Sequence, residues 1–261
     1  MSELLDTLED SRLEPIYTLP RAFTDVPMRY CPGCTHALAH RLVAEVLEEL
    51  DLLDRTILVA SVGCSVFAYE FFDFDGVQAA HGRAPAVATG LKRVFPENFI
   101  FTYQGDGDLA AIGLAETLHA AARGEKISIV FINNGVFGMT KGQMAPTTLV
   151  GQKTTTSVAG RSAEDTGYPI NVCDLLATLP GVVYLARETL IAPKYVMRAK
   201  RSLKKAFRAQ MQGVGFGLVE LLSTCASWWY TDPISALDRI EQEVIPQYPL
   251  GVFVDKVTPS A

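Results

Sequence analysis

The stretch from Phe99 to Asn134 constrains the fold more than any other part of the chain. A short apolar run, Phe99 to Tyr103, leads into a Gly-Asp-Gly turn at 105–107. A small-residue-rich helical segment, Leu109 to Ala122, follows, and then a second run, Ile127 to Ile132, that is apolar except at Ser128. Strand, turn, helix and strand in that order make a βαβ unit, whose two strands run parallel. Strands that are apolar at nearly every position are buried on both faces, so helices must cover both sides of the sheet. The expectation is an α/β fold, a mostly parallel sheet with helices on both faces.

The rest of the chain repeats this grammar. Leu38, Leu42, Val43, Val46, Leu47 and Leu50 recur at three and four residues, the mark of an amphipathic helix starting just after Cys34. Ile57 to Ala60 reads as a short buried strand, and Pro85 opens a helix carrying Val87, Leu91 and Val94. Beyond Asn134 the Gly- and Thr-rich segment 135–160 has no period, and a loop of that length in a compact domain is functional or ordered by a ligand. Helices are expected over 173–179, 193–212 and 233–244, strands over 182–185 and 216–222, and then a tail containing Pro249-Leu250-Gly251-Val252-Phe253. Gly213, Gly215 and Gly217 end a helix and enter a strand, the reverse of a dinucleotide fingerprint. With 261 residues, 49% of them apolar, the chain can bury one sizeable core. Residues 1–28, with Pro15, Pro20 and Pro27, are read as an irregular arm on a partner subunit, 29–256 as one domain and 257–261 as a tail.

A net charge of -6 with dispersed Lys and Arg gives no footprint for a nucleic-acid backbone. No uninterrupted run of 18 apolar residues predicts a membrane span, and the acidic segment Met1 to Asp10 does not resemble a secretory signal. The expected location is the cytoplasm.

The chemistry concentrates at the turn after the first strand of the βαβ unit. There the carboxyl end of a parallel strand meets a helix N-terminus, where doubly wound sheets bind ligands. Gly105 and Gly107 let the backbone approach a phosphate, and the free N-H groups of the helix meet its charge. Asp106 adds a hard oxygen ligand, Asn134 at the end of the next strand an amide oxygen, and Val136 its carbonyl. Such a set, completed by phosphate oxygens, suits octahedral Mg2+. A Gly-Asp-Gly triplet alone is a turn; its pairing with Asn133-Asn134 makes it a binding motif.

Five cysteines, an odd number, make a disulfide framework a poor explanation. Cys31-Pro-Gly-Cys34 puts two thiols within reach of one centre, and Cys64 and Cys225 lie in short non-periodic segments. Four thiolates suit a structural Zn2+ or a [4Fe-4S] cluster by count, and the presence of only one close pair favours the cluster. Cys173, within Val172-Cys-Asp-Leu-Leu176, reads as a buried thiol of helix packing.

The segment from Gly-Asp-Gly to Asn-Asn resembles the binding motif of thiamine diphosphate enzymes. That resemblance implies a thiamine diphosphate-binding fold in which Asp106, Asn134 and the Val136 carbonyl hold Mg2+ against the diphosphate. The carboxylate that activates the aminopyrimidine ring belongs to a separate domain in such enzymes, so a partner chain is expected to supply that Glu. Taken together, Tyr30-Cys-Pro-Gly-Cys34, Val62-Gly-Cys-Ser65, Ala80-His-Gly-Arg83, Gly105-Asp-Gly-Asp108, Asn133-Asn134, Met139-Thr-Lys-Gly-Gln143 and Ser223-Thr-Cys225 resemble the β subunit of 2-oxoacid:ferredoxin oxidoreductases from about Arg29 to Lys256. The resemblance implies that Cys31, Cys34, Cys64 and Cys225 ligate one [4Fe-4S] cluster near the thiamine ring. Val62, Gly63, Cys64, Ser65, His81, Gly105, Gly107, Asp108, Gly138 and Met139 would line the cofactor. It further implies CoA-dependent oxidative decarboxylation of a 2-oxo acid with electrons passed to ferredoxin, an α subunit carrying the pyrimidine-site Glu, and further γ and ferredoxin-like δ subunits.

Two residues are candidates for acting on substrate: His81, to steer a carboxylate or proton, and Lys141, to pair with the distal carboxylate of 2-oxoglutarate. Phe67 and Met139 favour instead an apolar chain such as that of 2-oxoisovalerate. Pyruvate, a non-oxidative thiamine diphosphate decarboxylase or synthase with zinc at the cysteines, and a zinc-binding interaction subunit without catalysis are the alternatives. Family members commonly carry Pro and Thr after the last cysteine, where this chain has Ala226-Ser-Trp-Trp229; the two tryptophans are read as core or subunit contact.

Overall fold

A computed structural model describes residues 18–257. The stripe of leucines and valines after Cys34 forms helix α1 (His36–Glu49), which leads to strand β1 (Thr56–Ala60). A short edge strand β2 (Gly76–Gln78) follows, and helix α2 (Ala84–Val94), with Pro85 in its first turn, crosses over to β3 (Phe99–Gly105). Helix α3 (Leu114–Ala122) returns the chain to β4 (Ser128–Asn133), so the βαβ unit read from the sequence is present. A two-residue hairpin, β5 (Val136–Phe137) and β6 (Gln143–Met144), opens the long loop. Helix α4 (Val172–Ala177), strand β7 (Val182–Thr189), helix α5 (Pro193–Met211), strand β8 (Phe216–Leu222), helix α6 (Pro233–Arg239) and strand β9 (Gly251–Asp255) complete the order.

Seven strands form one sheet in the order β2-β1-β3-β4-β8-β7-β9, all parallel except β9, which runs antiparallel to β7. Helices α1 and α5 pack on one face, against Phe99, Phe101, Tyr103, Val130 and Val219. Helices α2, α3 and α4 cover the other, against Val59, Ile100, Ile129, Phe131 and Leu218. Neighbouring strand residues thus feed opposite cores, the alternation that a two-sided sheet demands. From β1 the chain passes outward to β2 and then jumps back across β1 to β3, so a switch point lies between β1 and β3, where the carboxyl ends of parallel strands leave a crevice.

The structure departs from the sequence expectations in several places, among them the strand expected over 182–185, which runs to Thr189, and the period-free segment 135–160, which opens with the β5–β6 hairpin. The expected helix over 109–122 is two helices, because Gly107–Ile112 is wound as a π-helix and Gly113 separates it from α3; such turns gather at functional sites. The expected helix over 233–244 likewise passes into a π-helical turn at Ile240. Residues 251–255, expected as tail, are strand β9, an edge strand none of whose residues is fully buried, so it lacks a continuous apolar run. Strand β2 is too short and exposed to register as a period. The described part of the N-terminal arm lies on the chain's own Phe71–Asp73: Thr24 N donates to the Phe71 carbonyl at 3.0 Å and Asp73 N to the Ala22 carbonyl at 2.7 Å. Residues 1–17 of that arm and 258–261 of the tail lie outside the described residues. Among the described residues no helix is long and apolar enough to cross a membrane.

Candidate active site

The carboxyl edge of the sheet gathers the site because adjacent strands end there with their chemistry-bearing turns. Strand β1 runs into Val62–Ser65, β3 into Asp106, β4 into Asn134, β8 into Cys225, and β2 leads to His81. A pocket at this edge is lined by His36, Val62, Gly63, Cys64, Ser65, His81, Gly105, Asp106, Gly107 and Asp108, and from the β5–β6 side by Asn134, Val136, Phe137, Gly138, Met139 and Thr140.

Asp106 is buried at its floor. One carboxylate oxygen accepts from Gly107 N at 2.9 Å and the other from the Thr147 hydroxyl at 2.7 Å. Burial pushes its pKa up to about 6 against the pull of these donors, the state of a carboxylate lacking a counter-charge. Thr147 belongs to the long loop, which Arg161 holds by donating to the carbonyls of Pro146, Thr148, Gly167 and Tyr168 at 2.7–3.0 Å. Tyr248 fixes the Thr147 carbonyl at 2.8 Å. Asn134 Oδ1 accepts from Val136 N at 3.2 Å, and the Asn134 carbonyl accepts from Trp229 Nε1 at 3.1 Å. Asn133 turns the other way and donates to Glu220 at 2.7 Å, which is paired with the fully buried Arg187 at 2.7 Å. Cys173 donates to the same Glu220 and is buried, as expected from the sequence.

His81 Nδ1 lies 2.5 Å from Asp108 Oδ1, which also accepts from Gly82 N at 2.6 Å, while Gln104 Nε2 donates to Asp108 Oδ2 at 2.6 Å. The ring therefore donates through Nδ1 and turns Nε2 away from Asp108. Gly82, at φ +77°, makes this possible: a Cβ there would sit 2.7 Å from the Gly113 nitrogen and the Ile112 carbonyl carbon.

Beside it lies a buried stack that the sequence reading missed. Tyr30 stacks on His36 with centroids 4.8 Å apart and planes 11° off parallel. Its hydroxyl donates to the Cys64 carbonyl at 3.2 Å and lies 2.7 Å from His40 Nε2. His36 Nδ1 lies 2.8 Å from the Tyr103 hydroxyl. Burial lowers the His36 pKa to about 4 and that of His40 well below the usual value, so both rings are neutral at pH 7.

Cys64 and Cys225 face each other across Gly138, where a Cβ would meet their sulfurs at 3.2 and 3.7 Å. Burial pushes the thiols of Cys34 and Cys225 up to about 12 and that of Cys64 up to about 11, and mutual repulsion with neighbouring cysteines adds to each shift. Cys31 N-terminal to the pair is exposed, and Cys34 N donates to its carbonyl at 3.0 Å. Among the described residues no three His, Cys, Asp or Glu side chains converge on a point that could hold a single metal ion. Every residue expected to line the cofactor is thus at this pocket. Lys141 is not: it is exposed at the crown of the loop with φ +82°. Phe67 is not among the lining either and packs edge-on to Tyr30 at 6.1 Å. Trp228 lies against Gly142, and Trp229 donates to the Asn134 carbonyl while its ring packs on the core cluster of Leu149, Leu222 and Ile240, so Trp229 makes the expected core contact and both tryptophans also brace the loop. Thr147, Gln104 and His36 had no sequence signal, since a lone Thr, Gln or His has no spacing to betray it.

The comparisons agree with this geometry. A model described as the thiamine pyrophosphate enzyme C-terminal TPP-binding domain matches residues 61–221, from the end of β1 almost to the end of β8. The chain is 46% identical over 227 residues to the ketoisovalerate oxidoreductase subunit VorA of Methanothermobacter thermautotrophicus, which covers 87% of this chain and 48% of that protein. It therefore spans about half the length of VorA. It is 33% identical over 242 residues to the 2-oxoglutarate synthase subunit KorB of Archaeoglobus fulgidus, covering 89% of this chain and 86% of that one. Among solved structures, the 2-oxoglutarate:ferredoxin oxidoreductase from Magnetococcus marinus, with 2-oxoglutarate, coenzyme A and succinyl-CoA bound, has a chain that matches with a TM-score of 0.75 at 25% identity, over 94% of this chain and 87% of that one. With a family match over most of its sheet and relatives aligned along most of its length, the chain belongs to the thiamine pyrophosphate-binding family, among the subunits of 2-oxoacid oxidoreductases.

Proposed function

We propose that this chain is the cofactor-binding β subunit of a 2-oxoacid:ferredoxin oxidoreductase that converts 2-oxoisovalerate, with CoA, to the acyl-CoA and CO2. The observation that carries the reading is the meeting, at one sheet edge, of the Asp106–Asn134 pocket with the Cys64–Cys225 pair across Gly138. Asp106, the Asn134 amide oxygen and the Val136 carbonyl form the donor set for Mg2+. Ser65 Oγ, buried at the pocket wall without a partner, is an orphan that a bound cofactor would satisfy. Thiamine diphosphate, when bound, supplies the nucleophilic carbon and electron sink for decarboxylation. The chain's part is to hold the diphosphate at the helix N-terminus after Asp106, to exclude water with Val62, Phe137 and Met139, and to present His81 Nε2. No Glu stands among the described residues lining the pocket, so a partner α chain supplies the pyrimidine-site carboxylate, with γ and ferredoxin-like δ chains as further partners.

The four cysteines fit a [4Fe-4S] cluster better than zinc. Zinc needs four sulfurs about 2.3 Å from one point, whereas each cysteine of a cluster binds a different iron and the sulfurs need not converge. The apolar lining and the VorA relationship favour the branched-chain substrate. A second reading, 2-oxoglutarate, rests on Lys141, two residues beyond the lining Met139. An assay of the co-expressed complex with pyruvate, 2-oxoisovalerate and 2-oxoglutarate, using CoA and a low-potential dye, separates them. The expected result is preference for 2-oxoisovalerate, with Lys141→Ala reducing 2-oxoglutarate use selectively; equal loss on all three substrates would rule out carboxylate recognition by Lys141.

A further inference from the structure

The pocket holds two histidines, and their Nδ1 atoms meet different partners, a carboxylate for His81 and a tyrosine hydroxyl for His36. His81 donates through Nδ1 to the Asp108 carboxylate, which leaves its Nε2 turned away from that pair. Tyr103 is fully buried, and among the described residues its hydroxyl has a single hydrogen-bond partner, His36 Nδ1 at 2.8 Å. A buried tyrosine hydroxyl must place its hydrogen on an acceptor, and among the described residues that nitrogen is the only hydrogen-bond partner it has. Tyr103 therefore donates, His36 Nδ1 accepts, and the ring hydrogen of His36 sits on Nε2. The flat stack on Tyr30 and the Tyr103 hydrogen bond fix the ring plane, and no side chain or backbone group among the described residues engages Nε2. His36 nonetheless lines the pocket, next to Gly63, Cys64 and Ser65. A donor held rigidly at a pocket wall, without a partner of its own, is arranged for an acceptor that arrives with the substrate.

We infer that His36 is a substrate-binding residue whose Nε2-H donates to an anionic oxygen of the 2-oxo acid, with Tyr103 as the positioning residue that fixes its tautomer. The inference rests on the functional reading above and deepens it. Glutamine keeps an N-H donor close to the Nε2 position, and phenylalanine keeps the stack on Tyr30 but has no donor. A hydrogen bond to a charged group carries roughly a 10- to 100-fold effect.

The test uses the co-expressed, anaerobically purified complex with 2-oxoisovalerate, CoA and a low-potential dye. For each variant, thiamine diphosphate affinity and iron content are measured beside kcat and KM. His36→Phe is expected to lower kcat/KM roughly 10- to 100-fold, His36→Gln to recover much of that loss, and Tyr103→Phe to fall between them, with thiamine diphosphate affinity and iron content unchanged in all three. An active wild type with His36→Phe equally active, with His36→Gln no better than His36→Phe, or with losses that track missing cofactor or iron overturns the inference alone. A wild-type complex that oxidises none of the three 2-oxo acids overturns the functional reading and the inference with it.

Discussion

Asp106 combines two opposing demands. A carboxylate buried at the floor of a pocket is costly to keep charged, and burial pushes its pKa up to about 6 even with its hydrogen-bond donors pulling it down. Yet a hard cation needs it ionised. The Thr147 hydroxyl and the Gly107 N-H lower that cost while leaving lone pairs for a metal, and Thr147 reaches Asp106 only because Arg161 and Tyr248 shape the loop that carries it. Hydrogen bonds of this kind, to a ligating carboxylate, are worth about 10- to 100-fold in metal affinity. Thr147→Val, nearly equal in volume, should weaken Mg2+-dependent thiamine diphosphate binding by that factor in calorimetric titration of the complex. Unchanged affinity would show that Asp106 is oriented without Thr147.

At the scale of elements, β7 and β8 are joined across the sheet by Arg187 and Glu220, register partners whose side chains are both inaccessible to solvent. Removing one member of such a pair leaves a buried charge alone, at a cost of about 3–5 kcal/mol. Glu220→Ala should lose that much in denaturant unfolding, and it also releases Asn133 from the turn that positions Asn134. A loss below about 1 kcal/mol would mean that the pair adds little. Helix α1 sets the acid limit. His36 and His40 are held neutral by burial, His36 with a pKa near 4 against 6.5 when exposed. The unfolded chain therefore binds protons that the folded chain refuses. Stability of the cofactor-free chain should fall below about pH 6.5, by up to about 1.4 kcal/mol per pH unit for each histidine, with Asp106, whose raised pKa favours its protonation in the folded chain below about pH 6, offsetting one histidine's share. Flat unfolding midpoints between pH 6.5 and 5 would contradict this. The elements that the sequence made legible were those with a long period: the leucine stripe of α1, the apolar runs of β3 and β4, and helix α5. Strand β2 is three exposed residues, β9 has no fully buried residue, and the π-helical turn at Gly107–Ile112 keeps a helical pattern while changing its winding. None of these alters the local composition enough to be read. The site was legible where glycine, Asp, Asn and Cys recur in order at strand ends. The residues that orient them, Thr147, Gln104, Tyr103 and His36, come from separate segments and meet only in the folded chain.

For the molecule as a whole, the parallel sheet places two kinds of chemistry on adjoining stretches of one edge. Strands β3 and β4 end at Asp106 and Asn134, the proposed diphosphate and metal donors, while the segments after β1 and β8 carry Cys64 and Cys225, with Gly138 between the two sulfurs. Under the proposed function, this shared edge keeps the electron acceptor next to the place where electrons are released, and it leaves the other half of the cofactor pocket to the proposed second chain. The central claim is that these two sites form one redox unit. The measurement that tests it most directly is low-temperature EPR of the anaerobically purified complex, with iron, sulfide and thiamine diphosphate quantified, before and after addition of 2-oxoisovalerate. One [4Fe-4S] cluster and one thiamine diphosphate per copy of this chain, with cluster reduction only when the 2-oxo acid is added, is the predicted result. A complex that binds thiamine diphosphate yet contains no iron, or whose cluster is unaffected by any 2-oxo acid, would contradict it.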